Sequence, residues 1–221
     1  MKRTLSVLIL ILGTTLAACT TSSSTPSAGV PPGSPLPGSP LPSSASPSAS
    51  PSASSGQSQP PLVQVSDPGR VTGTLPSESC QMTGNSPDNY LPDPKCTPGA
   101  YDPAITAAVL CAQGYTTKTY RPPASETTAF KYNIAYPAYG LTRGTTTELD
   151  HLVSLELGGA NDATNLWPEP PGVPNPKDSV ENALHRWVCA ASGDVAQERL
   201  TDAQKAIAGN WTTAEQVLGV S

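Results

Sequence analysis

Glu148-Leu149-Asp150-His151-Leu152-Val153, then Gly158-Gly159, then Asn165-Leu166-Trp167-Pro168-Glu169 is the stretch on which the reading of this chain turns. Thr146 to Leu152 reads as a strand running into Asp150-His151, and the paired glycines mark a turn. Asn165-Leu166-Trp167 reads as a short return strand closed by Pro168. A helix is expected from about Pro176 to Ala191. At 100° per residue, Val180, Leu184, Trp187, Val188 and Ala191 share one side of it, while Asp178, Glu181, His185 and Cys189 share the other. One side is therefore core and the other presents carboxylates and an imidazole. Both histidines of the chain, His151 and His185, fall within this one unit. The fold class that follows is a small α+β domain built on strand, return strand and helix.

Outward from that unit the signals are shorter. Residues 66–100 are rich in Pro, Gly, Asp and Asn and read as irregular chain pinned by Cys80 and Cys96. Asp102-Pro103 looks like a helix start, with Ile105, Val109 and Leu110 carrying a short amphipathic helix to about Cys111. Tyr115 to Tyr120 reads as a strand ended by Pro122-Pro123. Ser125 and Glu126 open a helix bearing Phe130 and Lys131. Thr201 is expected to cap a helix with Ala203, Ile207 and Ala208 inside it, and Thr212 with Glu215 to open a last short one. Trp167, Trp187 and Trp211 are expected in the core, and Glu156 and Glu169 as solvated carboxylates.

The N-terminal third has a different composition. Of the 26 prolines in the 221-residue chain, eleven lie between Thr20 and Pro61, a stretch with no charged or aromatic residue. Such a segment lacks the apolar surface to offset its ordering entropy and is expected to be a disordered, extended spacer. Ahead of it, Lys2-Arg3, the apolar run Leu5 to Leu12 and Leu16-Ala17-Ala18-Cys19 resemble a bacterial lipoprotein leader. The run is too short for a transmembrane helix. The expected organisation is a signal peptide over 1–18, a linker over 19–62 anchored by a lipid on Cys19, and a folded domain over 63–221. Its central unit spans 146–192. Export accounts for the odd count of five cysteines, since four remain for two disulfides in an oxidising compartment. Three pairings are open, of which Cys80–Cys96 with Cys111–Cys189 is preferred. A formal net charge of −5 excludes a protein that coats nucleic acid by bulk positive charge.

Asp-His on a strand, a Gly-Gly turn, Asn-Leu on the return and a helix with a ligand-type residue, in that order, resemble the ββα-metal fingers of HNH endonucleases. The segment from Lys177-Asp178 through Glu181-Asn182, Leu184-His185 and Val188-Cys189, with Ala203-Gln204, Ile207 and Trp211 beyond, resembles secreted HNH-like proteins of bacteria. The likeness covers roughly Thr97 to Trp211. It implies metal-dependent hydrolysis of nucleic acid phosphodiesters, with His151 as general base, Asp150 as metal ligand and Asn165 orienting the His151 ring. His185 is the expected second ligand, with Asn182 and Glu181 the alternatives. The cofactor implied is a divalent ion, Mg²⁺ before Mn²⁺ or Zn²⁺. Arg121, Lys131, Lys177 and Arg186 are the candidate phosphate contacts in a chain short of cations. Two features depart from the pattern: Ser154 stands where these fingers often have proline, and the paired Cys-x-x-Cys zinc staples of many members are missing. The expected protein is a monomer on the outer face of a bacterial membrane, acting on DNA in preference to RNA. The rivals are a non-catalytic envelope lipoprotein that uses the same scaffold to bind a partner, and a plain metal-binding module.

Overall fold

A computed structural model describes residues 61–171 and 175–220. The expected leader, the lipidation site Cys19 and nearly all of the expected linker lie outside them. The described part is a mixed α+β unit with small sheets, helices and two disulfides. In chain order it comprises β1 (Val63–Gln64), β2 (Ala100–Tyr101), α1 (Ala107–Leu110), α2 (Ala124–Phe130), α3 (Tyr136–Ala138), β3 (Glu148–His151), β4 (Leu166–Glu169), α4 (Pro176–Cys189), α5 (Gly193–Asn210) and α6 (Ala214–Leu218). No helix among the described residues is long and apolar enough to cross a membrane.

β3 and β4 pair antiparallel, with Asp150 opposite Trp167 and His151 opposite Leu166. The return strand runs through Pro168 to Glu169, beyond the expected stop. Proline has no N–H to give a ladder, but each strand of a two-stranded sheet is an edge, where that loss is tolerated. The connection between the strands is tight. A Cβ on Gly159 would lie 1.7 Å from the Val153 carbonyl oxygen, so only glycine fits there.

Helix α4 starts as its sequence dictates. Asn175 caps it, its Oδ1 accepting from the Lys177 N–H at 3.0 Å, with Pro176 in the first turn. Leu184 and Val188 are buried on the side predicted to be core, against Leu200, Ala203 and Ile207 of α5. Trp167 and Trp211 are fully enclosed. Trp187 is only partly buried and lies under the Arg199 guanidinium. The Trp211 indole N–H donates to the Tyr90 carbonyl at 2.7 Å, tying the irregular segment to the C-terminal helices. Disulfides join Cys80 to Cys96 and Cys111 to Cys189, the preferred pairing. The second joins the end of α1 to the end of α4.

Several local expectations are corrected. Tyr115 to Tyr120 is not a strand: Thr117–Thr119 is a 3₁₀ turn capped by the Thr116 hydroxyl, and Tyr115 and Tyr120 stack at 5.2 Å. Asp102 does not start α1. It caps a preceding turn by accepting from the Ala104 N–H, and Thr106 caps the helix itself. Thr201 lies inside α5, with its hydroxyl bonded back to the Gln197 carbonyl. The parallel pair β1–β2, Val63 opposite Ala100, had no periodic signal because each strand is two residues long.

Candidate active site

The β3–β4–α4 unit brings His151, Asp150, Glu169, Lys177 and Glu181 together. His151 ends β3 and is 6 % exposed. Its ring lines two clefts, one of about 260 Å³ toward α4 and one of about 440 Å³ toward α2. Its Nε2 lies 2.8 Å from Asn161 Oδ1. The orientation of that amide is fixed, since Asn161 Nδ2 donates to the Tyr120 carbonyl at 2.8 Å. Oδ1 is therefore the acceptor end, so His151 Nε2 carries the proton and Nδ1 keeps a free lone pair. Burial holds the His151 pKa below its ordinary value, and the neighbouring Arg121 and Lys177 charges act the same way against the opposing Asp150. The ring is neutral at pH 7, which is the form a general base needs.

This corrects the role expected of Asn165. That side chain is fully buried and does not touch His151. Its Oδ1 accepts from the Val153 and Ala100 N–H groups, and its Nδ2 donates to the Val153 and Ala160 carbonyls. It staples the loop that leads away from His151 to β4. Asn161, which the sequence reading missed, is the partner of the ring.

Lys177 sits in the first turn of α4 and its side chain is fully buried. The ammonium donates to Asp150 Oδ2 at 2.7 Å, to the His151 carbonyl at 2.7 Å and to Glu181. All three of its protons are used, so the expected phosphate contact is ruled out by geometry. Burial would lower its pKa, but the surrounding carboxylates raise it above the ordinary lysine value. For Asp150, burial pushes the pKa up, and the Lys177 charge overrides this to hold it below the usual range. Burial lifts Glu181 to about 7, with Asp150 adding to the effect and Lys177 opposing it. Glu169 is 1 % exposed, so the expected solvated carboxylate is also corrected. Burial and the adjacent Asp150 charge push its pKa up to about 9. With Asp150 held low and Glu169 pushed up, Glu169 is the member of this carboxyl pair that keeps its proton at pH 7.

Asp178, Glu181 and Asn182 line the smaller cleft with Asp150, His151 and Arg121. His185 does not. Four residues beyond Glu181, it is about 6 Å further along the helix. Its Nδ1 donates to the Glu156 carbonyl at 2.8 Å, and its ring stacks on Tyr115. Of the expected ligands, therefore, the two alternatives reach the cleft and the first choice does not. Ser154 and Glu156 also line this cleft, and their Oγ and Oε2 atoms are buried without a hydrogen-bond partner among the described residues. Glu156 is thus a second carboxylate that is not simply solvated.

The cations divide. Arg121 is exposed, lines both clefts and has no ion-pair or hydrogen-bond partner for its guanidinium among the described residues. Lys131 lines the larger cleft, donates to the Thr147 carbonyl and lies 5.5 Å from the Tyr132 ring centre. Arg186 lines a separate hollow with Trp187 and Glu215, which removes it from the candidate phosphate contacts.

The donor set can be tested against a divalent ion. Asp150, Glu156, Asp178, Glu181 and Asn182 offer oxygen at the smaller cleft, and His151 is its one imidazole. Two buried oxygens of its lining residues, Ser154 Oγ and Glu156 Oε2, lack partners among the described residues. A set dominated by oxygen suits Mg²⁺ or Mn²⁺ better than Zn²⁺, which prefers nitrogen and sulfur. No group of three His, Cys, Asp or Glu converges with ligand geometry among the described residues. Donors of this kind could hold a hard ion only as one or two carboxylates completed by water and substrate oxygens. Comparison with protein-family models, curated proteins and solved structures finds no match for this chain.

Proposed function

We propose that the protein is an endonuclease of the HNH type, cleaving nucleic acid phosphodiesters, DNA in the first instance, at the outer face of a bacterial membrane. The observation that carries this reading is the state of His151. Its ring is neutral, its Nε2 proton is committed to Asn161, and its free Nδ1 belongs to a ring shared by two clefts. The neighbouring Arg121 guanidinium is unpaired among the described residues.

Nδ1 of His151 takes the proton of a water whose oxygen attacks the phosphorus; the bond from phosphorus to the leaving sugar oxygen breaks, and that oxygen takes a proton from solvent. Arg121 offers paired donors to the non-bridging phosphate oxygens. Asp150, kept ionised by Lys177, stands with Glu181 and Asn182 as the groups to hold a hard divalent ion. Such an ion, when bound, neutralises charge on the phosphate and the leaving oxygen. Glu169 holds its proton against Asp150, and Asn161 keeps the His151 ring in one tautomer. The ββα order of the elements, the Asn165 staple and the two disulfides support the family reading. The finer localisation, a lipid on Cys19 with residues 19–62 as spacer, rests on the leader-like sequence. The disulfides agree with an oxidising compartment.

One observation favours the rival reading as a non-catalytic scaffold. The Lys177 ammonium already fills the space between Asp150 and Glu181, where it neutralises carboxylates that a metal would otherwise claim.

A plasmid-nicking assay with Mg²⁺ or Mn²⁺ and an EDTA control separates the two. His151→Ala is expected to cut roughly 10²- to 10⁴-fold more slowly than the parent while melting at the same temperature. Cleavage by His151→Ala at the parental rate would remove the assignment, and absence of cleavage by the parent with either ion favours the scaffold.

A further inference from the structure

The two clefts that meet at His151 differ in chemistry. The smaller is walled by Asp150, Glu156, Asp178 and Glu181. The larger, about 440 Å³, takes Arg121 and Lys131 as cations and Thr127, Thr128 and Thr147 as hydroxyl bearers, with Leu149 among its apolar lining. Glu148 is the one carboxylate on its wall, and it accepts a hydrogen bond from Asn175 Nδ2. His151 and Arg121 belong to both walls, so they form the partition between the clefts.

A phosphodiester held at that partition continues as a chain on both sides. The carboxylate-lined cleft repels further phosphate oxygens. The larger cleft offers positive charge, the Thr128 hydroxyl, the Thr127 hydroxyl oxygen as an acceptor (its proton goes to the Ala124 carbonyl) and apolar surface for a ring face. Its volume lies in the range of small-ligand sites. We infer that the cleft between α2 and β3, lined by Arg121, Thr127, Thr128, Lys131 and Thr147, is the subsite for the nucleoside that adjoins the scissile phosphate. This rests on the phosphodiesterase reading and specifies which side of His151 the substrate occupies.

No aromatic side chain lines the cleft, so it has no stacking platform and no ring to select one base. The subsite takes a sugar and a base of any kind. The α2 wall is the place to block it. Thr128 is exposed on that helix, so a larger side chain there fills the cleft without entering the core.

The test is binding of a fluorescent DNA tetranucleotide, read by polarisation, to the full chain carrying His151→Ala so that no cleavage intervenes. Adding Thr128→Trp is expected to weaken binding about tenfold or more, with tetranucleotides of different base composition affected alike. A control tryptophan at Val217, 71 % exposed on α6, leaves the affinity at the level of the His151→Ala protein. Thermal melting of each variant establishes that it folds. Equal binding with and without Thr128→Trp overturns the subsite, as does an equal loss with Val217→Trp or no binding at all. Cleavage by the parent is measured separately. Binding blocked by Thr128→Trp in a protein that does not cut would keep the subsite and remove the nuclease reading.

Discussion

At the scale of single residues, the site depends on hydrogen bonds that leave each group one protonation state. Asn161 is held by its bond to the Tyr120 carbonyl and presents only Oδ1 to His151. Asn161→Leu removes that acceptor, so either ring nitrogen can carry the proton. Activity is expected to fall about 10- to 100-fold, as when partners that orient a functional histidine are lost. Asn161→Asp, which keeps an acceptor oxygen and adds charge, should recover part of the rate and move the acid limb of the pH–rate profile to higher pH. A profile unchanged in both variants would show that Asn161 does not set the ring. Glu169 predicts a pH effect on stability. Its folded pKa of about 9 lies above its unfolded value, so the native state keeps a proton that the unfolded chain has released. The stabilisation is complete below about pH 4.3 and is lost as pH rises toward 9. In metal-free buffer, urea midpoints should therefore fall over that range, and Glu169→Gln, which mimics the protonated acid, should flatten the decline.

At the scale of elements, the same β3–β4–α4 unit is fastened by one buried ammonium. Lys177 joins Asp150 and the His151 carbonyl on β3 to Glu181 on the helix. Lys177→Met leaves buried carboxylates without their countercharge and is expected to cost about 3–5 kcal/mol, read from urea unfolding. Lys177→Met paired with Glu181→Leu should recover part of that loss. The position of Lys177 was not legible in the sequence, where a lysine in the first turn of an amphipathic helix reads as a solvated cation. Nothing in a 3.6-residue period reports that a side chain bends back beneath the hairpin. His185 illustrates the same limit. Periodicity placed it on the polar side of α4, which is correct, but not beyond the end of the cleft, which depends on where β3 crosses the helix. Periodicity did suffice for the buried side of α4, and residue order for the strand–loop–strand–helix succession. Each is a repeated local signal, whereas the roles of Asn161, Asn165 and Glu169 arise from bonds formed across the loop.

At the scale of the molecule, two cross-links and one charge balance frame what the protein can do. The Cys111–Cys189 bridge closes a loop of 78 residues and the Cys80–Cys96 bridge one of 16. In the chain-entropy picture the longer closure is worth about 4.5 kcal/mol and the shorter about 3. The longer one fixes the C-terminal end of α4, the helix whose first half carries Lys177 and Glu181. The net charge of −5 sets how such a molecule meets a polyanion. With Lys177 buried and Arg186 in another hollow, Arg121 and Lys131 are the two expected cations left to meet phosphate at the site. Two phosphate contacts predict a slope of about −1.8 for log affinity against log salt on duplex DNA, so raising salt from about 50 to 200 mM should weaken binding only about tenfold. Measured on the His151→Ala protein, a slope near −10 would mean an extended basic surface and remove the two-contact picture. Arg121→Ala should bring the slope to about −0.9, because one released counterion disappears with the one contact.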